Sequence, residues 1–424
     1  MALQSFVGSF NTGTGAATTT VVVTGVGFVP KSIIFWWSGR SESTDTIGRA
    51  SHVRGFGVAN SATDRRAIVN KVVDAAANAD TQRAHDNAAC ILSVSVAAAI
   101  DGQIDLQSMD ADGFTLVVDD AMPLDLRVNF MALGGDSLTN VQSGQFQAAT
   151  VTGNQDITGV GFQPDFVMVF GIEYATAPPS ATGYAPFLIG AAVSSSQQGI
   201  LVTASEDTVS TMDTFSYCTD DEFIANSSAE DTSIETRADF VSFLSDGFRI
   251  NWIEIIAGAR YHHYLALKGG NYVVGNLLTQ TDTVTDIVES GFGFQPSGAM
   301  FFSAGVAKST NDVSSNNDRV SIGAFSGVST RGAQGTLDEY NLTDSEVTTA
   351  IEFDEVYVNI KTDSTIDGLM DVKSIDSDGF TMIMDDADPA QAFVWYIAFG
   401  AAAAAGGVIP QAMASYRRRR LINV

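Results

Sequence analysis

Paired carboxylates are the first residues in this chain that could do chemistry. Asp110 and Asp112 precede Gly113, and Asp376 and Asp378 precede Gly379. An Asp-x-Asp-Gly segment is how a calcium loop begins, but such a loop also needs further oxygen ligands and a closing Glu, which are missing here. Leu244 occupies the position matching Asp110 in a third copy of the segment, so the sequence reads as a turn. Asp119-Asp120 and Asp385-Asp386 read as solvent-facing strand ends. The four histidines, His52, His85, His262 and His263, lack His-x-x-x-His and HExxH spacing. In Tyr261-His262-His263-Tyr264, strand alternation puts the two imidazoles on opposite faces. Cys90 and Cys218 stand alone at non-corresponding positions, which argues against a disulfide or a thiolate zinc site and for structural thiols. Trp36, Trp252 and Trp395 are candidates for stacking on a ligand such as a sugar, although they and Trp37 fit a sandwich core better. Arg417, Arg418, Arg419 and Arg420 near the end of the sequence form a candidate docking arm for an acidic partner surface. No nucleophile elbow, P-loop or dinucleotide fingerprint occurs in a strand-to-helix context, and Gly25-Val26-Gly27 precedes a strand. A glycan depolymerase would need two carboxylates set across a cleft, and no acid pair stands out for that role. The residues therefore predict no enzyme, no metal and no cofactor.

The elements that position these residues recur three times. Gly27-Phe28-Val29-Pro30 is repeated as Gly161-Phe162-Gln163-Pro164 and Gly293-Phe294-Gln295-Pro296. Asp112-Gly113-Phe114 is repeated as Asp246-Gly247-Phe248 and Asp378-Gly379-Phe380. Phe130-Met131-Ala132-Leu133-Gly134 is repeated around Tyr264 and Tyr396. Each landmark moves by 134 positions and then by 132, and a weaker glycine at Gly57, Gly190 and Gly323 keeps similar spacing. A period this long is a whole domain with its own core. After each Gly-Phe-x-Pro comes a short apolar run such as Ile33-Ile34-Phe35-Trp36-Trp37, bounded by turn formers, which predicts a strand. Proline fits just before such a strand, where its missing N–H breaks no ladder. Each Asp-Gly supplies the positive φ of a hairpin turn. The segment 64–79 is Ala-rich towards its end and could be amphipathic, but its equivalents are not helical, which favours strand.

The expected fold is all-β: three tandem β-sandwich, jelly-roll-like domains over 1–136, 137–270 and 271–401, with a basic tail over 402–424. The connections are short and lack a Pro- or Ser-rich linker, so the domains should pack closely. The formal net charge is −27, and the tail contributes only positive charge, so the body is more acidic still. That balance disfavours nucleic acid as a partner. No run is long and apolar enough to span a bilayer, and no signal peptide is expected at Met1-Ala2-Leu3, which implies synthesis in a cytoplasm and no membrane partner.

The order Gly-Phe-x-Pro, apolar strand, Asp-Gly-Phe, aromatic strand ending near Ala-x-Gly resembles β-sandwich modules of tailed-phage virion and tail structural proteins. The resemblance covers residues 1 to about 400. It implies a structural protein of a bacteriophage virion, in the tail, an appendage or a particle-surface decoration. Such a protein would assemble with other virion proteins, form a homo-oligomer, and be made in the host cytoplasm. The alternative is an adhesin with three weak sites for carbohydrate or another host-surface glycan.

Overall fold

The apolar runs that follow each Gly-Phe-x-Pro lack a polar face because both of their faces are buried. Ile34 and Trp36 enter a central core, while Ile33, Phe35 and Trp37 enter a separate one. Met168 and Phe170 are divided in the same way from Val167 and Val169, as are Met300 and Phe302 from Ala299 and Phe301. A strand alternates its side chains between two faces, so a continuous apolar run marks a sheet covered on both sides.

The computed structural model describes residues 2–227, 234–255, 259–309 and 316–400. Among them every regular element is a β-strand and every pairing is antiparallel, so the fold class is all-β. Each repeat builds one large and one small sheet. The first large sheet runs Gln4–Asn11, Arg127–Gly134, Pro30–Trp37, His52–Ser61, Asp64–Val72 and Thr81–Asp86 in spatial order. The second runs Asn140–Gln147, Tyr261–Lys268, Phe166–Tyr174, Phe187–Ser194, Gln197–Ser205 and Thr214–Thr219. The third runs Asn271–Leu278, Phe393–Gly400, Pro296–Ser303, Asp318–Gly327, Thr330–Asp338 and Val347–Glu352. Each small sheet has four strands and contains the Asp-Gly hairpin, as in Thr20–Thr24, Gly113–Asp120, Ile100–Asp110 and Ile91–Val94.

A sandwich core lies between the large and small sheet of each repeat. The opposite faces of all three large sheets meet in one shared core, where Trp36, Phe56, Phe170, Leu201, Phe302 and Trp395 are buried. The 64–79 segment resolves as the strand Asp64–Val72 followed by a loop.

The Asp-Gly landmarks are hairpin turns, with φ of 145° at Gly113, 141° at Gly247 and 154° at Gly379. Their aspartates do more than start the turn. Asp112 accepts the Gly25 and Gly27 N–H groups at 3.1 and 2.6 Å. Asp246 does the same for Gly159 and Gly161, and Asp378 for Gly291 and Gly293. This charge-assisted clamp explains why the two landmarks keep register: one is bonded to the other. Pro30 and Pro296 open their strands, and Pro164 stands just ahead of Phe166–Tyr174.

Short arms tie the repeats to one another. Thr46–Arg49 of the first repeat adds to Val347–Glu352 at the edge of the third sheet. Ser180–Gly183 of the second adds to Thr81–Asp86 of the first. In the third repeat, the Ser309 N–H donates to Cys218 O at 2.9 Å and the Asn316 N–H to Thr214 O at 3.1 Å, on the edge of the second sheet. The exchange is circular: first to third, third to second, second to first.

Candidate functional site

The loops 73–80, 206–213 and 339–346 follow equivalent strands and close into a ring by backbone bonds. Ala79 N–H donates to Val209 O, Met212 N–H to Leu342 O, and Ser345 N–H to Ala76 O, at 2.8–3.0 Å. In return Ala79 O accepts from Thr208, Met212 O from Asn341, and Ser345 O from Ala75. The three donors share the left-handed backbone, with φ of 62°, 63° and 57° respectively. These bonds obey one threefold rule although the side chains differ.

Beneath this ring the three large sheets converge on Arg54, which is 1% exposed. Asn70, Thr203 and Thr336 are the equivalent residues of the three repeats, and Arg54 bonds all of them. Nε donates to Asn70 Oδ1 at 3.2 Å, Nη2 to Thr203 Oγ1 at 2.9 Å, and Nη1 to Thr336 Oγ1 at 2.9 Å. The remaining two N–H groups make a bidentate pair with Asp318, at 2.8 and 2.9 Å. All five guanidinium donors are therefore used, and the side chain also lies over the Phe187 ring at 4.9 Å.

Asp338 pairs with Asp318 across the sheet and is equally buried. Ser205 Oγ donates to Asp338 Oδ2 at 2.6 Å. Burial first, and the Asp318 charge next, push the Asp338 carboxyl up to about 7. One guanidinium and one carboxylate balance, so the second carboxyl keeps its proton. Burial also holds His52, two residues before Arg54, well below the usual imidazole range, with the Arg54 charge adding to the effect.

The folded-state value of Asp338 lies above the ordinary 3.8, so the folded chain binds the extra proton. Its contribution to stability is full below about pH 4, falls as pH rises, and is gone above about pH 7. In urea titrations at several pH values, wild type minus Asp338→Asn should lose on the order of 4 kcal/mol across that window and level off above it. Using the difference between the two proteins cancels the opposite trend from the buried histidines. A flat difference would refute the assignment.

A second buried cluster lies where the arm of the second repeat meets the first. The Arg83 guanidinium sits between the Tyr174 and Tyr184 rings at 5.1 and 5.2 Å. His85 Nε2 is 2.7 Å from Ser180 Oγ and 3.0 Å from Thr176 O, and burial lowers its pKa to about 4. Burial pushes Glu173 up to about 8.

The residues singled out in the sequence fall mostly on structural duties. All four tryptophans are buried, Trp36 and Trp395 in the shared core and Trp252 and Trp37 in sandwich cores. The stacking role considered for Trp36, Trp252 and Trp395 is therefore corrected: their faces are already covered, as by Phe302 on Trp395 at 4.2 Å. His262 and His263 do face opposite ways, the first towards Phe146 and Trp252, the second towards His85 and Phe170. Cys90 and Cys218 are free and buried, with thiol pKa values raised by burial. Asp110 accepts from Ser108 and Thr115, and Asp376 from Ser374 and Thr381. Arg417, Arg418, Arg419 and Arg420 lie outside the described residues. The sequence reading missed Arg54 and its partners. Aligning the repeats would have shown polar residues recurring at the equivalent positions 70, 203 and 336.

No protein-family model matches the chain. No curated protein matches it either.

Proposed function

We propose that this chain is a structural subunit of a bacteriophage virion, seated in the tail, in an appendage or on the particle surface, and that it acts by assembly with other virion subunits. The observation that carries the reading is the circular closure of three repeats on one axis through the loop ring, the exchanged arms and Arg54. One chain thereby offers three similar faces around an axis, a shape suited to a symmetric position on a particle or to further self-association into a homo-oligomer. Strongly perturbed acids and histidines, among them Glu355, Glu173, Asp338, His52 and His263, are buried away from solvent. The adhesin reading placed glycans on tryptophan faces, and burial of those indoles removes the platforms it relied on.

The test is mass spectrometry of density-banded particles from the source, before and after a high-salt wash. The protein should co-band at a fixed ratio to the major particle protein. Its absence from banded particles would rule the reading out.

A further inference from the structure

The three arm-to-edge seams are equivalent in backbone and different in charge. Asp86, Thr219 and Glu352 occupy the same place in them, opposite Ala67, Ile200 and Ala333. In the first sheet Asp86 is satisfied, accepting from the Ala88 and Ala89 N–H groups and from the Gln103 side chain. In the second sheet Thr219 is neutral, and the Lys308 ammonium covers the neighbouring Asp220 and Asp221. The seam between the first repeat's arm and the third sheet has neither solution.

There Thr46 pairs with Ile351, which sets Asp45 opposite Glu352. Asp45 is pinned over the following turn, accepting the Phe353 N–H at 2.8 Å. Asp354 brings a third carboxylate, and one oxygen from each of the three lies within 4.8 Å of the others. Glu352 is only 7% exposed and, among the described residues, has no hydrogen-bond or ion-pair partner. The nearby cations pair with other carboxylates, Arg40 with Glu42 at 3.2 Å, Arg49 with Glu346 at 2.5 Å and Arg331 with Asp371 at 2.6 Å, and Arg331 reaches the site only through the Asp354 backbone carbonyl. Like charges opposed across strands are destabilising, and a buried carboxylate without a partner more so.

We infer that Asp45, Glu352 and Asp354 form a binding site for a divalent cation of the calcium type, which fastens the arm of the first repeat to the sheet of the third. The donors are all carboxylate oxygens with no sulfur or imidazole, the set that hard cations take. Asp45 and Asp354 are exposed, so water can complete the coordination shell. The other two seams join repeats adjacent in the chain. This one joins the first to the last, so the ion would secure closure of the circle. The inference is independent of the virion reading.

The test uses the full chain stripped with EDTA, titrated with calcium chloride by calorimetry and melted with and without calcium. Wild type should bind one ion per chain at this site and melt about 3 °C higher at saturating calcium. Glu352→Gln keeps the side-chain shape and should weaken binding at least 10-fold, the scale expected for losing a charged ligand. In EDTA the same variant should melt at or above wild type, because a buried uncompensated charge has gone, and this also shows that it folds. Asp354→Asn should weaken binding likewise. No saturable binding in wild type, or binding that Glu352→Gln leaves unchanged, would overturn the inference.

Discussion

Replacing Arg54 with Met should cost about 3–5 kcal/mol of stability, the range for breaking a buried ion pair by removing one partner. The side chain is 2% exposed and its five donors are all engaged. Methionine fills much of the volume but donates nothing, so Asp318 keeps a buried charge and Asn70, Thr203 and Thr336 lose an axial partner. Lysine would be a poor substitute, since three donors on a flexible stem cannot meet five fixed acceptor directions. The second half of the prediction separates charge from packing. The residues equivalent to Asp318 in the other repeats are His52 and Ala185, so an apolar side chain is tolerated in this setting. Arg54→Met combined with Asp318→Ala should therefore recover more than half of what Arg54→Met alone loses, a large positive coupling in a double-mutant cycle. Urea unfolding of the four proteins at pH 7 measures it. A double variant no more stable than Arg54→Met would show that the residue acts by shape alone.

What the sequence revealed and what it concealed divide along physical lines. Strands buried on both faces announce themselves, and Ile33 to Trp37 could be read as such because every residue in the run is apolar. The Asp-Gly turns were legible because positive φ demands particular residues. The arms were not. Thr46–Arg49 and Ser180–Gly183 are short and half-exposed, and they are held by backbone pairing, which any sequence can supply. The loop ring hid for the same reason: Ala75, Thr208 and Asn341 share a left-handed backbone with three different side chains. The axial network was concealed in another way. A polar residue in a strand reads as a surface position, and only the superposition of three repeats reveals that Asn70, Thr203 and Thr336 face one guanidinium. The tryptophans show the converse, since an aromatic side chain carries no mark saying whether its face is covered by protein or by ligand.

The recurring glycine is the place where the sequence signal was weak and the expected effect is large. A Cβ on Gly57 would lie 2.0 Å from Cys90 O, on Gly190 2.2 Å from Phe223 O, and on Gly323 2.0 Å from Val356 O. None of the three has a positive φ, so the requirement is close approach and not backbone conformation. The carbonyl belongs each time to the segment entering the edge of the small sheet, fixed there by the N–H of the same residue bonding into that sheet at 2.9–3.0 Å. Alanine at any of these positions must push sheet from sheet, and should cost about 3 kcal/mol, the upper part of the overpacking range. Gly48→Ala is the control, because its Cβ would meet no backbone atom and only the Arg40 guanidinium, at 3.3 Å. Calorimetric melting of the four single variants checks the prediction, and a wild-type melting temperature for Gly57→Ala, Gly190→Ala or Gly323→Ala would refute it. The shape of the melt carries a further consequence. The three large sheets share one core and exchange strands, so damage to one sandwich should lower a single common transition. If the repeats melted as separate bodies, each alanine would instead split off one third of the transition and leave the rest in place.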